Sequence, residues 1–475
     1  MTVMLGRTRR VHFVGIGGIG MSGIAELLAN LGYQVSGSDA RRSEMTDRLA
    51  DMGVRIAIGH AADHVGDADV VVTSSAVSQD NPEVLEARRR HVPVIPRAEM
   101  LAELMRLRTG IAVAGAHGKT TTTSMVALAL QRAGLDPTAV IGGRLSAFGS
   151  NARLGSSQYM VAEADESDRS FLLLSPTFAV ITNVDHEHME SYGSFDRLID
   201  AFVTFGNKVP FYGAVIACLD DPEVAAFLPR LTRRVVTYGF SPQADICAEG
   251  AGSDGRNARC QVRIAAAPGE DPQRLELVLG VPGRHNLLNA LAAVAIGREL
   301  GVPLERITSA LREFHGAERR FQTRGVAADV TVIDDYGHHP TEIAAVLRTA
   351  REASPTRLVV AFQPHRYSRT RDLLDDFGPA LGLADVVVLA DIYAASEAPI
   401  PGITLETLAE RVRPHVKELV LVPEVGDLAP HLALLTQPGD LVITLGAGSI
   451  GHVADRLVTL LRQMAAAGTA PEGVS

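Results

Sequence analysis

One glycine-rich segment carries the residue types that bind a nucleoside triphosphate. Gly115-Ala116-His117-Gly118-Lys119-Thr120-Thr121 follows a predicted strand at 111–114 and leads into a predicted helix at 122–133. Consecutive backbone N–H groups and a lysine ammonium can surround phosphate oxygens, and the threonine hydroxyl after the lysine can bind Mg²⁺. Val113 replaces the first glycine of the strict G-x-x-x-x-G-K-[ST] pattern, so the loop is a variant. The segment predicts binding of ATP or GTP.

Two polar clusters follow later predicted strands of the same block. The first runs from Glu163 to Asp168 after a strand at 159–162, and the second runs from Asn183 to His188 after the next strand. A carboxylate at the C-terminal end of a parallel strand beside a phosphate loop is the usual ligand of Mg²⁺. His186 and His188 have an H-x-H spacing, but no cysteine or carboxylate accompanies them at zinc spacing. We therefore predict a hard-cation site with mainly oxygen ligands.

A second glycine-rich turn lies near the start of the chain. Gly15-Ile16-Gly17-Gly18-Ile19-Gly20 follows a predicted strand and opens a predicted helix, and Asp39 comes at the end of the next strand. This is the context of a dinucleotide-type fingerprint, in which glycine lets the backbone approach a diphosphate at a helix N-terminus. The same pattern recurs at Gly446–Gly451, and the two cannot both be NAD sites. The first turn predicts a diphosphate without specifying the nucleotide.

Three further polar clusters occupy the C-terminal half. Asn286 and Asn289 are three residues apart, and so lie on one face of a predicted helix. The other two clusters, at 334–340 and 363–369, follow predicted strands at 330–333 and 358–362 and carry histidine and arginine. Arg366 and Arg369 are suited to a carboxylate or a phosphoryl group. Two consecutive strand ends of this kind predict that the carboxyl edge of the last sheet faces a ligand.

The pattern along the chain predicts the elements that must position these residues. Short β-branched runs alternate with amphipathic helical stretches, which predicts parallel sheets covered by helices. Between about 241 and 280 the helical period disappears, which predicts an antiparallel excursion. At roughly 100–200 residues per domain, 475 residues predict about three domains. We predict an α/β protein whose three blocks occupy 1–108, 109–317 and 318–475.

Composition excludes several classes of protein. With 46% hydrophobic and 21% charged residues, the chain is not disordered, collagen-like or coiled-coil. Its net charge of −10 argues against a nucleic-acid partner. Three cysteines without C-x-x-C spacing favour a reducing compartment, and no apolar run approaches the roughly 18 residues of a membrane span. The basic and apolar start of the chain lacks a small-x-small cleavage site, so we predict a cytoplasmic protein without membrane insertion.

Taken together, the motifs resemble those of the Mur ligase family. The resemblance covers nearly the whole chain apart from the tail and the antiparallel excursion. It rests on seven blocks in order: G-I-G-G-I-G-M-S-G-I-A-E at 15–26, S-S-A-V at 74–77, G-A-H-G-K-T-T at 115–121, E-A-D-E-S-D at 163–168, H-N-L-L-N-A at 285–290, D-D-Y-G-H-H-P-T-E at 334–342 and P-H-R-Y-S-R-T-R at 364–371. Seven ordered blocks are far more specific than any one of them.

The resemblance implies an architecture and an activity. It implies an N-terminal Rossmann-like domain for a UDP-sugar, a central P-loop ATPase domain and a C-terminal Rossmann-like domain for an amino acid. Within the family the blocks are most similar to the branch that joins L-alanine to the D-lactoyl carboxylate of UDP-N-acetylmuramate through an acyl phosphate. That activity belongs to peptidoglycan synthesis, uses ATP with Mg²⁺ or Mn²⁺, and needs no enzyme nucleophile. We expect a monomer or a homodimer.

The resemblance also implies roles for individual residues. UDP-sugar binding falls to Gly15, Gly17, Gly18, Ile19, Gly20, Ser22, Asp39, Ser74 and Ser75. ATP binding falls to Gly115, Ala116, His117, Gly118, Lys119, Thr120, Thr121, His285, Asn286, Asn289, Arg320 and Asp335. Metal binding falls to Thr120, Glu163 and His188, and contact with the lactoyl group or amino acid to His117, His338, His365, Arg366 and Arg369. The catalytic set is Lys119, Glu163, His188 and Arg366.

The sequence departs from the family pattern at one position and leaves three alternative functions open. Several Mur ligases carry a carbamylated lysine shortly after the segment that aligns with His188, but residues 188–207 include no lysine, so we predict no such modification. A ligase that attaches a peptide to the same UDP-sugar, as in cell-wall recycling, is one alternative. An NAD-dependent dehydrogenase would leave the P-loop unexplained. A nucleotide-gated binding protein would consume no ATP.

Overall fold

Three sheets organise the chain. The computed structural model describes residues 5–74, 76–106, 108–145, 150–265, 272–395 and 397–466. The chain divides into two compact units, of which the first comprises Met1–Gly250, Cys260–Val278 and Leu287–Phe314 and the second comprises Ala251–Arg259, Leu279–Asn286 and His315–Ser475. The predicted α/β class with three sheets is confirmed.

The first sheet has five parallel strands in the order β3-β2-β1-β4-β5. The strand order reverses beside β1, so the crevice at its carboxyl end is where an open α/β sheet binds ligands. Val11, Phe13 and Val14 are fully buried, which fixes β1 at the centre. The strands are β1 Arg10–Val14, β2 Gln34–Asp39, β3 Arg55–Ile58, β4 Val70–Thr73 and β5 Val94–Pro96, and the helices are α1 Ile19–Asn30, α2 Glu44–Asp51, α3 Pro82–Arg89 and α4 Arg97–Met105.

The central sheet has ten strands in the order β15-β14-β13-β12-β11-β10-β6-β9-β7-β8. The strands are β6 Thr109–Ala114, β7 Thr138–Leu145, β8 Ser150–Arg153, β9 Tyr159–Glu163, β10 Phe178–Ile181, β11 Ala214–Cys218, β12 Val235–Gly239, β13 Ile246–Ser253, β14 Ala258–Ile264 and β15 Gln273–Leu279. Its helices are α5 Lys119–Arg132, α6 Met189–Tyr192, α7 Phe195–Asn207, α8 Pro222–Phe227, α9 Arg284–Glu299 and α10 Leu304–Arg312. The short link between β13 and β14 allows only an antiparallel connection, as the sequence predicted.

The last sheet has six strands in the order β16-β17-β21-β18-β19-β20, and only the β16–β17 pair is antiparallel. Alternate residues of the central strands bury against opposite faces, as Val332 and Ile333 do. The strands are β16 Gln322–Ala327, β17 Val330–Asp335, β18 Arg357–Phe362, β19 Val386–Leu389, β20 Glu418–Leu421 and β21 Asp440–Leu445, and the helices are α11 Pro340–Glu352, α12 Tyr367–Asp372, α13 Phe377–Leu381, α14 Leu405–Val412, α15 Val425–Leu435 and α16 Val453–Ala466.

A large hydrophobic core of the first unit extends from the first sheet into the central one. Phe171 lies at its centre, with its ring centroid 5.3 Å from that of Phe202 and 5.1 Å from that of Phe205. Burying each such side chain contributes about 1.5–3 kcal/mol to stability. Among the described helices, none is both long enough and apolar enough to cross a membrane.

Candidate active site

The phosphate loop lies between β6 and α5, and its two glycines have conformations that other residues rarely adopt. Gly115 has φ +140° and Gly118 has φ +80°. A Cβ atom on Gly115 would lie 2.0 Å from the Thr182 hydroxyl oxygen, and one on Gly118 would lie 2.6 Å from the Asn289 side-chain oxygen. Glycine is therefore required at both positions for the backbone N–H groups to line the N-terminus of α5.

Lys119 folds over this loop. Its ammonium donates to the carbonyl oxygens of Gly115 (2.6 Å) and Ala116 (3.1 Å) and to Glu166 Oε1 (2.8 Å). Burial alone would lower the pKa of Lys119, but the negative charges of Glu166 and Asp165 outweigh it and raise the pKa above its usual value. The lysine is thus a fixed positive charge at the loop.

A buried acidic cluster faces Lys119. Glu166, Glu187 and His188 each offer one ligand atom, and these atoms lie within 4.8 Å of one another. Glu166 is 2% exposed, and burial raises its pKa to about 7. Within the described part of the chain, Glu166 Oε2 has no hydrogen-bond partner. The sequence predicted His188 here but missed Glu166 and Glu187, although both lie in the polar clusters that it singled out.

Glu163, the carboxylate that the sequence predicted as a metal ligand, ends β9. It is paired in register with Val113, the second-to-last residue of β6, so its side chain lies at the carboxyl edge that carries the phosphate loop. Thr120 lies in the first turn of α5 directly after Lys119. The structure therefore places Thr120 and Glu163 at the edge that carries the acidic cluster.

The polar cluster after β10 supports the phosphate loop. Asn183 accepts a hydrogen bond from the His117 N–H (2.7 Å) and donates one to the His117 carbonyl oxygen (3.0 Å). The His117 imidazole lies 2.9 Å from Asp185 Oδ2. Asn289, on α9, accepts a hydrogen bond from the Thr122 hydroxyl (3.1 Å) and contacts the loop at Gly118. The structure thus brings Asn289 to the loop, and its part in ATP binding stays a prediction.

The first glycine turn is held by the end of β2. Gly15 N and Ile16 N donate to the Ser38 carbonyl oxygen at 2.8 and 2.9 Å, and Gly17 N donates to Asp39 Oδ2 at 2.8 Å. Asp39 therefore binds the turn itself. Gly18, the residue before α1, has no side chain with which to cap the first N–H groups of the helix.

Arg97 brings a positive charge to this turn, which the sequence did not indicate. Its guanidinium lies 2.9 Å from the position of a Cβ atom on Gly20, and 3.6 Å from Asp165. Nothing in the spacing of residues 94–98 marks this contact, because Arg97 belongs to α4. Of the other predicted residues, Ser22 is buried on α1, Ser74 directly follows β4, and Ser75 lies outside the described residues.

A buried carboxylate anchors the same end of β2. Glu83 is fully buried and lies 2.6 Å from His12 Nε2 and 2.8 Å from His60 Nδ1. Burial opposes its ionisation, but hydrogen bonds from His12, Ser38 and His60 outweigh burial and lower the pKa of Glu83. Because the Ser38 carbonyl oxygen also accepts hydrogen bonds from two N–H groups of the glycine turn, this network stabilises the turn.

In the second unit, Asp335 is buried, and the charge of the partly exposed Arg320 acts on both Asp335 and His285. Asp335 accepts hydrogen bonds from the N–H groups of Phe321 and Gly337, both at 2.7 Å. Burial raises the pKa of Asp335 to about 6, although Arg320 opposes this shift. Burial and the charge of Arg320 lower the pKa of His285 to about 4, so the imidazole is neutral near pH 7. Asn286 donates to the Pro282 carbonyl oxygen (2.6 Å), and so stabilises the turn before α9.

The histidines and arginines at the ends of β17 and β18 lie together. The ring centroids of His338 and His365 are 5.6 Å apart, and Arg369 Nη1 lies 3.3 Å from His365 Nδ1. Burial and the neighbouring cations lower the pKa of His365 to about 3, so the ring is neutral. His339 instead accepts a hydrogen bond from the Thr341 N–H at the N-terminus of α11. His338 therefore lies beside His365, and His339 caps α11.

The second glycine motif, Gly446–Gly451, is filled by side chains of this chain. Arg319 donates to the Gly446 carbonyl oxygen (2.6 Å) and lies against Gly451. Gln363 Oε1 accepts a hydrogen bond from Ile450 N (3.0 Å), and Gln363 Nε2 donates to Ser449 Oγ (3.2 Å). The motif binds these side chains where a dinucleotide turn would bind a diphosphate.

Three family models match the chain in order. The model described as the Mur ligase family catalytic domain matches residues 10–109, the Mur ligase middle domain matches 113–297, and the Mur ligase glutamate ligase domain matches 319–448. Together they cover most of the sequence.

Similar proteins extend over the whole length. A protein of Syntrophotalea carbinolica named UDP-N-acetylmuramate–L-alanine ligase is 55% identical over 462 residues, which are 97% of this chain and 100% of the relative. One of the same name from Anaeromyxobacter dehalogenans is 56% identical over 465 residues, 98% of this chain and 100% of the relative.

Solved structures of similar proteins have the same fold along nearly the whole chain. The UDP-N-acetylmuramate–alanine ligase of Thermotoga maritima superposes with a TM-score of 0.80 at 32% identity, covering 96% of this chain and 99% of that one. A murein peptide ligase of Psychrobacter arcticus has a TM-score of 0.71 at 25% identity, with 96% and 99% covered. With three matching family models and relatives of this identity along its full length, the chain belongs to the Mur ligase family.

Proposed function

We propose that this protein joins L-alanine to the lactoyl carboxylate of UDP-N-acetylmuramate and releases ADP and phosphate, a step of peptidoglycan precursor synthesis. The observation that carries the proposal is the full-length match, at 55% and 56% identity, to two proteins named for that reaction. The phosphate loop with its buried lysine supports the use of ATP.

The chemistry explains why the reaction needs a triphosphate. A carboxylate and an amine do not form an amide directly, because oxide is a very poor leaving group. Transfer of the γ-phosphoryl group to the lactoyl carboxylate makes an acyl phosphate, and the neutral α-amine then displaces phosphate. No enzyme nucleophile takes part, and the three cysteines are buried and unpaired. The protein contributes positioning and charge neutralisation.

We assign the triphosphate to the loop at 115–121. Lys119 would contact the γ-phosphate after leaving Glu166, with which it pairs at 2.8 Å. Asn289 borders the loop. We retain His285, Asn286, Arg320 and Asp335 as residues of the ATP site, because the family resemblance assigns them that role. The neutral imidazole of His285 and the cationic Arg320 suit a nucleotide.

We assign Mg²⁺, or Mn²⁺ in its place, to Thr120, Glu163 and His188, with Glu166 and Glu187 beside them. Hydroxyl and carboxylate oxygens are the ligands that Mg²⁺ prefers, and the buried Glu166 Oε2 without a hydrogen-bond partner fits a cation. When bound, the ion neutralises charge on the phosphates. We expect no carbamylated lysine, because Lys208, the first lysine after His188, ends α7 and donates to the Leu172 carbonyl oxygen.

We assign the UDP diphosphate to Gly15–Gly20 at the N-terminus of α1, together with Ser22 on α1, Ser74 after β4, which pairs with β1, and Ser75. Arg97 supplies the cation that the glycine turn lacks. Asp39 acts by holding the turn through Gly17 N. His338, His365, Arg366 and Arg369 are assigned to the lactoyl carboxylate or the amino acid, and His117 completes that set.

The remaining expectations concern organisation. We retain domain boundaries near 108 and 317, which lie close to the limits of the matched family models. The substrates are metabolites of the cytoplasm, so we place the protein there. We expect a monomer or a homodimer, which sedimentation velocity would distinguish.

A panel of acceptors tests the proposed function. Phosphate release is measured with ATP, Mg²⁺ and UDP-N-acetylmuramate in the presence of L-alanine, L-serine, glycine or the tripeptide L-alanyl-γ-D-glutamyl-meso-diaminopimelate. We expect the highest kcat/KM with L-alanine. Preference for the tripeptide would instead favour a peptide ligase, the class for which the similar Psychrobacter arcticus structure is named. Absence of phosphate release with every acceptor would contradict a ligase, and NADH fluorescence enhancement would favour a dehydrogenase.

A further inference from the structure

A segment after β19 lies against the loop that carries His365 and Arg366. We call this segment the strap; it comprises Asp391–Ala395 and Glu397 of the described residues. Arg366 N donates to the Tyr393 carbonyl oxygen (2.8 Å), and Tyr393 N donates to the Pro364 carbonyl oxygen (2.8 Å). These two bonds join the strap to the loop on both sides of His365, much as two strands pair. The backbone around His365 is therefore fixed by Tyr393.

The Tyr393 side chain also contacts His365 directly. The two rings are stacked, with centroids 5.5 Å apart and an interplanar angle of 13°. The tyrosine side chain also lies against the second glycine motif, where a Cβ atom on Gly448 would lie 2.7 Å from Tyr393 Cγ. Gly448 therefore leaves the room that the tyrosine needs. This contact gives the second glycine motif a role in positioning His365.

Glu397, at the end of the strap, holds the residues next to Arg366. Its carboxylate accepts hydrogen bonds from the Ser368 N–H (3.0 Å) and hydroxyl (2.6 Å). Glu397 Oε1 also lies 3.8 Å from Arg366 Nη1. One carboxylate thus fixes the start of α12 and balances the charge of Arg366.

Arg366 has an unusual backbone that needs such support. Its φ of +74° with ψ +138° lies in a region that residues with side chains rarely adopt. Strained backbone persists only where the surroundings determine it, and here the strap supplies a hydrogen bond to Arg366 N and a carboxylate near its side chain. The strained backbone indicates that the Arg366 side chain has to point in one particular direction.

We propose that Tyr393 and Glu397 are positioning residues that direct His365 and Arg366 toward the amino-acid substrate and so determine the affinity for it. This inference rests on the proposed function. Neither residue needs to touch the substrate, because each acts through a side chain that the ligase reaction uses. Misplacing such a group by about an ångström lowers catalytic efficiency substantially.

The test compares substitutions that distinguish the effect of the Tyr393 ring, the effect of the Glu397 charge and a general effect on folding. Tyr393→Phe keeps the stacked ring, and Tyr393→Ala removes it. Glu397→Gln keeps an acceptor for Ser368 and removes the charge beside Arg366. Matched controls are Tyr212→Ala and Glu410→Gln, since both residues are exposed and lie outside the proposed site.

We expect Tyr393→Ala and Glu397→Gln to raise the KM for L-alanine about tenfold or more, with the KM for ATP and for UDP-N-acetylmuramate changed less than about twofold. Tyr393→Phe and both controls should match the unsubstituted protein. A uniform change of all three KM values with a lowered Tm would show a merely structural role and overturn the proposal. Unchanged alanine kinetics in Tyr393→Ala and Glu397→Gln would overturn it equally.

A spectroscopic measurement keeps this test separate from the proposed function. In protein labelled with ¹³C-histidine, the His365 ring resonance is assigned from His365→Gln. We expect Tyr393→Ala and Glu397→Gln to shift that resonance and Tyr393→Phe to leave it near its original position. If the unsubstituted protein releases no phosphate with any amino acid, the proposed function fails, and an unmoved His365 resonance would then contradict the positioning role by itself.

Discussion

Two turns at opposite ends of the chain share one glycine pattern and differ in what fills them. At Gly15–Gly20 the helix N-terminus has no side-chain cap, and Arg97 lies beside it. At Gly446–Gly451 the amide of Gln363 caps Ile450 N, and Arg319 donates to the Gly446 carbonyl oxygen. Gly15, Ile16 and Gly17 of the first turn donate their N–H groups to the end of β2, so the N–H groups offered to a phosphate are those at the start of α1, whereas in the second turn Gln363 occupies the corresponding position at Ile450 N. The surrounding side chains, and not the glycines, decide whether such a turn binds a ligand.

The phosphate loop extends this comparison, because it adds a buried cation to uncapped N–H groups. Lys119→Ala should lower turnover by about 10³-fold or more, as expected for loss of a phosphate clamp. The affinity for UDP-N-acetylmuramate should persist, because the first glycine turn is a separate cradle. Lys417→Ala, at an exposed lysine paired with Asp385, is the control and should keep full turnover. Loss of UDP-sugar binding in folded Lys119→Ala would count against separate sites.

Removing the support of the first turn should have a smaller effect. Asp39→Ala deletes the acceptor of the Gly17 N–H. It should raise the Kd for UDP-N-acetylmuramate roughly tenfold, because such a change corresponds to the loss of about one hydrogen bond to a charged group. Isothermal titration should find ATP affinity unchanged. The exposed Asp63→Ala is the matched control. Equal UDP-sugar affinity in Asp39→Ala and the unsubstituted protein would dismiss this role.

The corresponding change at the second turn should lower stability and leave both nucleotide affinities unchanged. Gln363→Leu leaves Ile450 N without its acceptor and should lower the free energy of unfolding by about 1–3 kcal/mol. Denaturant titration measures this loss, and the Kd values for ATP and UDP-N-acetylmuramate should stay within about twofold. A folded Gln363→Leu protein that no longer binds one of these nucleotides would break the comparison, because the second turn would then have a ligand.

Glycine turns and changes of hydrophobic period in the sequence predicted the parts of the fold that depend on neighbouring residues. A strand followed by a glycine turn and a helix identified both Gly15–Gly20 and the phosphate loop, and the loss of helical period identified the hairpin of β13 and β14. These signals are reliable because backbone conformation and period depend on residues a few positions apart.

Contacts between distant residues were beyond such reasoning. Arg319 and Gly446 are 127 positions apart, so the sequence could not distinguish the filled turn from the one without a side-chain cap. Burial was equally hidden: Glu166 stands in an acidic run like its neighbours, yet it is nearly inaccessible and pairs with Lys119. Arg97 carried no signal because its contact with Gly20 depends on how α4 packs.

The central claim is that two glycine cradles in one chain hold two different nucleotides at once. Isothermal titration with UDP-N-acetylmuramate, in the absence and in the presence of saturating ADP and Mg²⁺, tests it most directly. We predict one UDP-sugar per chain in both titrations, with Kd values that differ less than about tenfold. Displacement of one nucleotide by the other, or loss of UDP-sugar binding when ADP is present, would contradict the account.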